Sequence, residues 1–96
     1  MTKYEVLVSP DINEFLQAQN EKTRRIVKEN IQKLEKNPYP GRGQGDKERL
    51  PIEGEKRFRM HIGRTWTVFY SILEDEKEVR ISEILPIEEA HKKYGF

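Results

Sequence analysis

The sequence has no cysteine, so disulfide frameworks, thiol catalysis and cysteine-based zinc sites are excluded from the start. It has only two histidines, His61 and His91, set thirty residues apart with no His-x-x-x-His spacing, which argues against a metal site. No apolar run approaches the ~20 residues a membrane span needs, and the opening Met1-Thr2-Lys3-Tyr4-Glu5 carries no signal-peptide pattern. The expectation is a cytoplasmic protein with no membrane association and no cofactor. Apolar residues are scarce too, 34% against 36% charged, yet Trp66, four Tyr and four Phe oppose simple disorder. At 96 residues there is room for one domain, spanning 1–96, and one modest core.

The net charge of +1 conceals an asymmetry. Residues 41–70 hold seven Lys or Arg against four acids, whereas residues 71–96 hold four against seven. Residues 56–70 contain Lys56, Arg57, Arg59 and Arg64 and no acid at all. Such a stretch is a candidate footprint for phosphate, with a solvated surface as the plainer alternative.

Tyr4–Val8 reads as a short strand. Ser9-Pro10-Asp11 follows as a helix start: a capping hydroxyl, a proline suited to the first turn and an acid at the positive end of the helix. Ile12, Phe15 and Leu16 then share one face. Asn20-Glu21 opens a second amphipathic helix over Lys22–Lys36, with Ile26, Val27, Ile31 and Leu34 as its apolar positions. The pair should form an antiparallel hairpin from about residue 10 to 36. Pro38 ends it. The glycine-rich loop 41–46 is no phosphate-binding loop, because no Gly-Lys-Ser/Thr follows.

Three or four strands complete the pattern: Glu48–Ile52, near an edge because of Pro51; Lys56–Ile62; Thr65–Leu73; and Glu78–Leu85. Lys56–Ile62 alternates, with Phe58, Met60 and Ile62 on one face and Arg57, Arg59 and His61 on the other. In the last strand Val79, Ile81 and Glu83 fall on one face, and Arg80, Ser82 and Ile84 on the other. Pro86–Tyr94 reads as a short helix. The order implies an α+β domain: an N-terminal strand, a helical hairpin packed on a mostly antiparallel four- to five-stranded sheet, and a short C-terminal helix. Ile26, Ile31, Leu34, Phe58, Met60 and Val68 should meet in the interface, with Ile62 and Tyr70 in the core. The other sheet face would carry Arg57, Arg59, His61, Thr67 and Arg80.

On that face Arg57, Arg59 and His61 recur every second residue, about 6–7 Å apart. Arginine offers a planar fork of donors to phosphate oxygens, and histidine exchanges a proton near neutral pH. Together they suit cleavage of RNA by its own 2′-hydroxyl, which needs a base, an acid and cations on the phosphorane. His91 and Tyr94 could join from the C-terminal helix. The plainer reading is the ordinary polar outer face of an antiparallel sheet.

The element order and the stretch Lys56-Arg57-Phe58-Arg59-Met60-His61-Ile62-Gly63-Arg64-Thr65-Trp66-Thr67-Val68-Phe69-Tyr70 resemble the RelE/ParE toxin superfamily. The helix ending Leu34-Glu35-Lys36-Asn37-Pro38-Tyr39-Pro40-Gly41 is similar as well, and the resemblance covers nearly the whole chain. It implies the toxin of a type II toxin–antitoxin module, partnered by a cognate antitoxin. RelE-like members are endoribonucleases that cut mRNA on the ribosome without metal and so inhibit translation. ParE-like members inhibit DNA gyrase instead, and an attenuated member would mainly bind its antitoxin. By position, Arg59 and His61 match two strand positions that are basic in RelE-like members and Tyr94 resembles their C-terminal tyrosine, which implies catalytic roles for these three, with Arg57, Arg64 and Arg80 as candidate substrate-binding cations. Two departures stand out. Thr67 occupies a place where a RelE-like member often has arginine, and Ile84–Glu89 replaces a run containing glycine and arginine.

Overall fold

The computed structural model describes residues 3–39, 47–49, 57–63 and 65–94, with Glu48, Arg49 and Tyr94 described by backbone alone. In chain order the elements are β1 (Glu5–Val8), α1 (Pro10–Gln17), α2 (Glu21–Gln32) with a 3-10 turn over Lys33–Glu35, β2 (Lys47–Arg49), β3 (Arg57–Ile62), β4 (Trp66–Leu73), β5 (Glu78–Pro86) and α3 (Ile87–Tyr94). The strands form one sheet in the order β1-β5-β4-β3-β2. Only the β1–β5 pairing is parallel; the other three are antiparallel. The helical hairpin covers one face. The expected glycine loop at 41–46 and most of the expected strand 48–52 lie outside the described residues.

Local chemistry sets the helix starts. The Ser9 hydroxyl accepts from the Ile12 amide at 3.3 Å, and Pro10 occupies the first turn. The Asn20 side chain accepts from the Thr23 amide at 2.8 Å and opens α2. Each cap satisfies an amide that has no partner within its helix. The apolar stripe of α2 then runs through Val27, Ile31 and, in the following turn, Leu34, all buried. Ile26 does not belong to it and is 38% exposed. Adjacent positions on a helix diverge by about 100°, so Val27 facing the sheet turns Ile26 outward.

Beneath the hairpin lie Phe58, Met60, Ile62, Val68, Tyr70, Ile72, Val79, Ile81 and Ile84. Tyr70 stacks on Phe58, and its buried hydroxyl donates to the Pro38 carbonyl at 2.7 Å, fastening the chain after α2 to the sheet. Trp66 packs edge-on against Phe15 of α1.

The assignment of faces in β5 needs correction. Tyr70 pairs with Ile81, but Phe69 pairs with Glu83, so Ser82 is an extra residue in the ladder. This β-bulge shifts the alternation by one. Ile84 therefore joins the core and Glu83 moves to the opposite face, reversing the expected placement. The Ser82 hydroxyl donates to the Phe69 carbonyl at 3.1 Å, supplying a donor where the ladder is interrupted.

At the β4–β5 turn, Glu74 gathers three donors. The Tyr4 hydroxyl lies 2.9 Å from both carboxylate oxygens, and the Tyr39 hydroxyl and Lys77 ammonium also donate to it. This ties β1 and the segment after α2 to one turn. Hydrogen bonds from Lys77, Tyr39 and Tyr4, in that order, hold the Glu74 carboxyl at about 2, below its ordinary 4.5. A lowered folded-state value means a contribution present above pH 4.5 and lost as pH falls toward about 2. In thermal melts, the stability advantage of the wild type over Glu74→Gln should shrink across that window. A pH-independent difference would contradict this role.

Candidate functional site

Because directly paired residues present their side chains to one face, the register places three rows across the face opposite the hairpin. Arg57, Ser71 and Arg80 form the first. Arg59, Phe69 and Glu83 form the second, with Glu48 of β2 beside Arg59 by backbone register. His61, Thr67 and Leu85 form the third. Successive rows are spaced by two residues along β3 and β4, about 6–7 Å, and by three between Arg80 and Glu83, across the bulge of β5. The structure thus brings Arg57, Arg59, His61 and Arg80 onto one face, as the alternation implies. Arg64 lies outside the described residues. Tyr94 ends α3, and its side chain is likewise outside them.

This face is not open throughout. Phe69 and Thr67 on it are fully buried, and with Ala90 of α3 they stand apart from the main core. The helix α3 contacts β4 and β5, and Lys93 reaches Glu83 at 2.9 Å. The Ile87 amide donates to the Thr65 carbonyl at 2.9 Å, fixing where the helix starts. The C-terminal helix therefore covers part of the second face, and the end that carries Tyr94 is drawn to it. His91 is exposed on this helix.

The charges are partly paired. Arg80 is exposed and donates to Glu78 through Nε and Nη2, at 3.3 and 3.0 Å. Arg57, Arg59 and His61 are half-buried. Among the described side chains of this face the cations Arg57 and Arg59 sit on β3, while the acids Glu5, Glu78 and Glu83 sit on β1 and β5, so the part that favours an anionic ligand is β3 rather than the whole face.

His61 has a partner that alternation alone did not show: Thr67 Oγ1 lies 3.2 Å from its Nδ1. The expected strand begins at Thr65, after a two-residue turn, but β4 begins at Trp66: Ile62 pairs with Trp66, and counting outward sets His61 opposite Thr67. Gly63 has a φ of +59°, a conformation glycine adopts without the penalty a Cβ would bring. Among the described residues, no group of three or more His, Asp or Glu is placed to hold a metal ion.

Residues 9–90 match the family profile described as the ParE toxin of type II toxin-antitoxin system, parDE. The chain belongs to the RelE/ParE family of toxins. This toxin is similar to the archaeal RelE in a RelE–RelB complex from Pyrococcus horikoshii OT3, with 28% identity, a TM-score of 0.73, and 90% of this chain and 96% of that one covered. The toxin–antitoxin complex RelBE2 of Mycobacterium tuberculosis shares the fold at 19% identity and a TM-score of 0.70, covering 88% and 98% of the two chains. A mutant of the Escherichia coli toxin RelE in the free state shares it at 11% identity and 0.59, over 97% and 95%. Comparison with curated protein sequences finds no match. None of the described helices is long and apolar enough to cross a membrane.

Proposed function

We propose that this toxin is a cytoplasmic, ribosome-dependent mRNA endoribonuclease that needs no metal of its own and is neutralised by a cognate antitoxin. The observation that carries the reading is the row order on the second sheet face, Arg57, Arg59, then His61, with His61 held by Thr67. Cleavage proceeds by attack of a 2′-oxygen on the adjacent phosphorus. The P–O5′ bond breaks, and a 2′,3′-cyclic phosphate and a 5′-hydroxyl result. His61 takes the proton of the attacking 2′-hydroxyl and returns it to the departing O5′. Arg57 and Arg59 hold the non-bridging oxygens as charge builds on the phosphorane. Tyr94 contributes from the end of α3, and Arg64 and Arg80 steer the RNA backbone. The similarity to toxins solved with antitoxins supports the antitoxin partner.

The experiment adds the purified toxin to a translating extract and maps message ends by primer extension. Phenanthroline is present to remove transition metals, while the magnesium that ribosomes themselves require is kept. New ends on ribosome-bound message are expected, suppressed by the product of the neighbouring antitoxin gene. A second reading, inhibition of DNA gyrase, is favoured by the match to the ParE profile and by Thr67 and Ile84–Glu89, which bring no arginine to the face. Loss of gyrase supercoiling with intact message would select it.

A further inference from the structure

We propose that Thr67 is the positioning residue for His61: its hydroxyl holds the imidazole by Nδ1 and so assigns proton transfer to Nε2. The inference deepens the ribonuclease reading and rests on it for its catalytic consequence. Three observations converge. The backbone register sets Thr67 directly opposite His61. Thr67 Oγ1 lies 3.2 Å from Nδ1. Thr67 is fully buried while His61 is half-exposed, so bulk water does not compete at the hydroxyl although the ring remains accessible.

The physical need is specific. The outer torsion of a histidine is broad and roughly two-fold, so a ring fixed only by packing can turn over and exchange Nδ1 with a carbon. A hydrogen bond to one nitrogen removes that degeneracy and decides which nitrogen meets the substrate. A hydroxyl suits the task because it can donate to a neutral Nδ1 or accept from a protonated one. The contact therefore survives both protonation states of a group that must cycle between them. Threonine adds a stiff χ1, which fixes the direction of its oxygen. The third member of the row, Leu85, is apolar and offers the hydroxyl no competing side-chain partner.

The test compares Thr67→Val, which keeps the shape and removes the hydroxyl, with Thr67→Ser, which keeps the hydroxyl. Ring nitrogen resonances of His61 are read in the 15N-labelled full chain at fixed pH, with exposed His91 as an internal reference. Thr67→Val should move the Nδ1 resonance of His61 and leave His91 unchanged, while Thr67→Ser should keep both. Ribosome-dependent kcat should fall about 10-fold in Thr67→Val with KM little changed, a loss on the scale seen when an orienting partner is removed. Thr67→Ser should restore most of it. Should the valine variant not fold, Thr67→Ala supplies the same comparison. An unchanged Nδ1 resonance would overturn the proposal, as would a shifted resonance with unchanged kcat. Absence of cleavage by the wild type would overturn the ribonuclease reading, and the resonances alone would then decide whether Thr67 holds the ring.

Discussion

His61→Ala is expected to slow cleavage of ribosome-bound message by about 100-fold or more, the usual scale for losing a positioned proton-transfer group. Arg59→Ala should cost a comparable factor, because Arg59 sits one row from His61 and its guanidinium can bridge to the same phosphate. The effects should then decline with distance along the face. Arg57 lies two rows from His61, about 13 Å along the strand, and should matter less than Arg59. Arg80 already donates to Glu78, so the charge it presents to an RNA backbone is partly offset and its loss should matter least. This gradient separates a catalytic face from a merely cationic one, on which any arginine would count about equally. The decisive strain carries Arg59→Ala and His61→Ala together, with folding verified by circular dichroism. Restored growth and intact message are expected. Growth arrest that persists undiminished with intact message would move the target to gyrase.

What the sequence displayed depended on the range of the interaction. Caps at Ser9 and Asn20, the turn at Gly63 and the alternation of Arg57–Ile62 are decided within a few residues, and all were legible. Ile26 was misplaced because two adjacent apolar positions, Ile26 and Val27, both fit an amphipathic stripe, and only packing on the sheet selects one. Ser82 hid the phase of β5. A bulge residue looks like any other polar position, and a single insertion exchanges the faces of everything beyond it. That exchange carries Glu83 to the face opposite the hairpin, where it pairs with Lys93. The burial of Thr67 and Phe69 was not legible at all, since it follows from where α3 docks. The same docking gives a physical reason for threonine at position 67. An arginine there would enter a site with no exposure, at the cost of either desolvating its charge or lifting α3. Membership of the RelE/ParE family was legible because element order and the Lys56–Tyr70 hairpin survive these local uncertainties.

Phe58→Ala should destabilise the fold by about 3–5 kcal/mol. The Phe58 ring is 3% exposed, stacked on Tyr70 at 5.6 Å between centroids and met edge-on by Tyr39 at 5.8 Å. Tyr39 reaches Glu74 through its hydroxyl, and Tyr70 reaches the Pro38 carbonyl. Phe58 is thus the apolar joint between two polar fastenings, and its removal loosens both the sheet and the segment after α2. A small domain has roughly 5–15 kcal/mol of stability in total, so the loss takes a large share of it. Denaturant unfolding followed by Trp66 fluorescence measures the change, since Trp66 packs on α1 and reports separation of the hairpin from the sheet. Arg25→Ala, on the exposed side of α2, serves as the control and should stay within about 0.5 kcal/mol. Equal destabilisation by the two variants would mean that the hairpin does not bear on the Phe58 face, and the register of β3 would have to be reassigned.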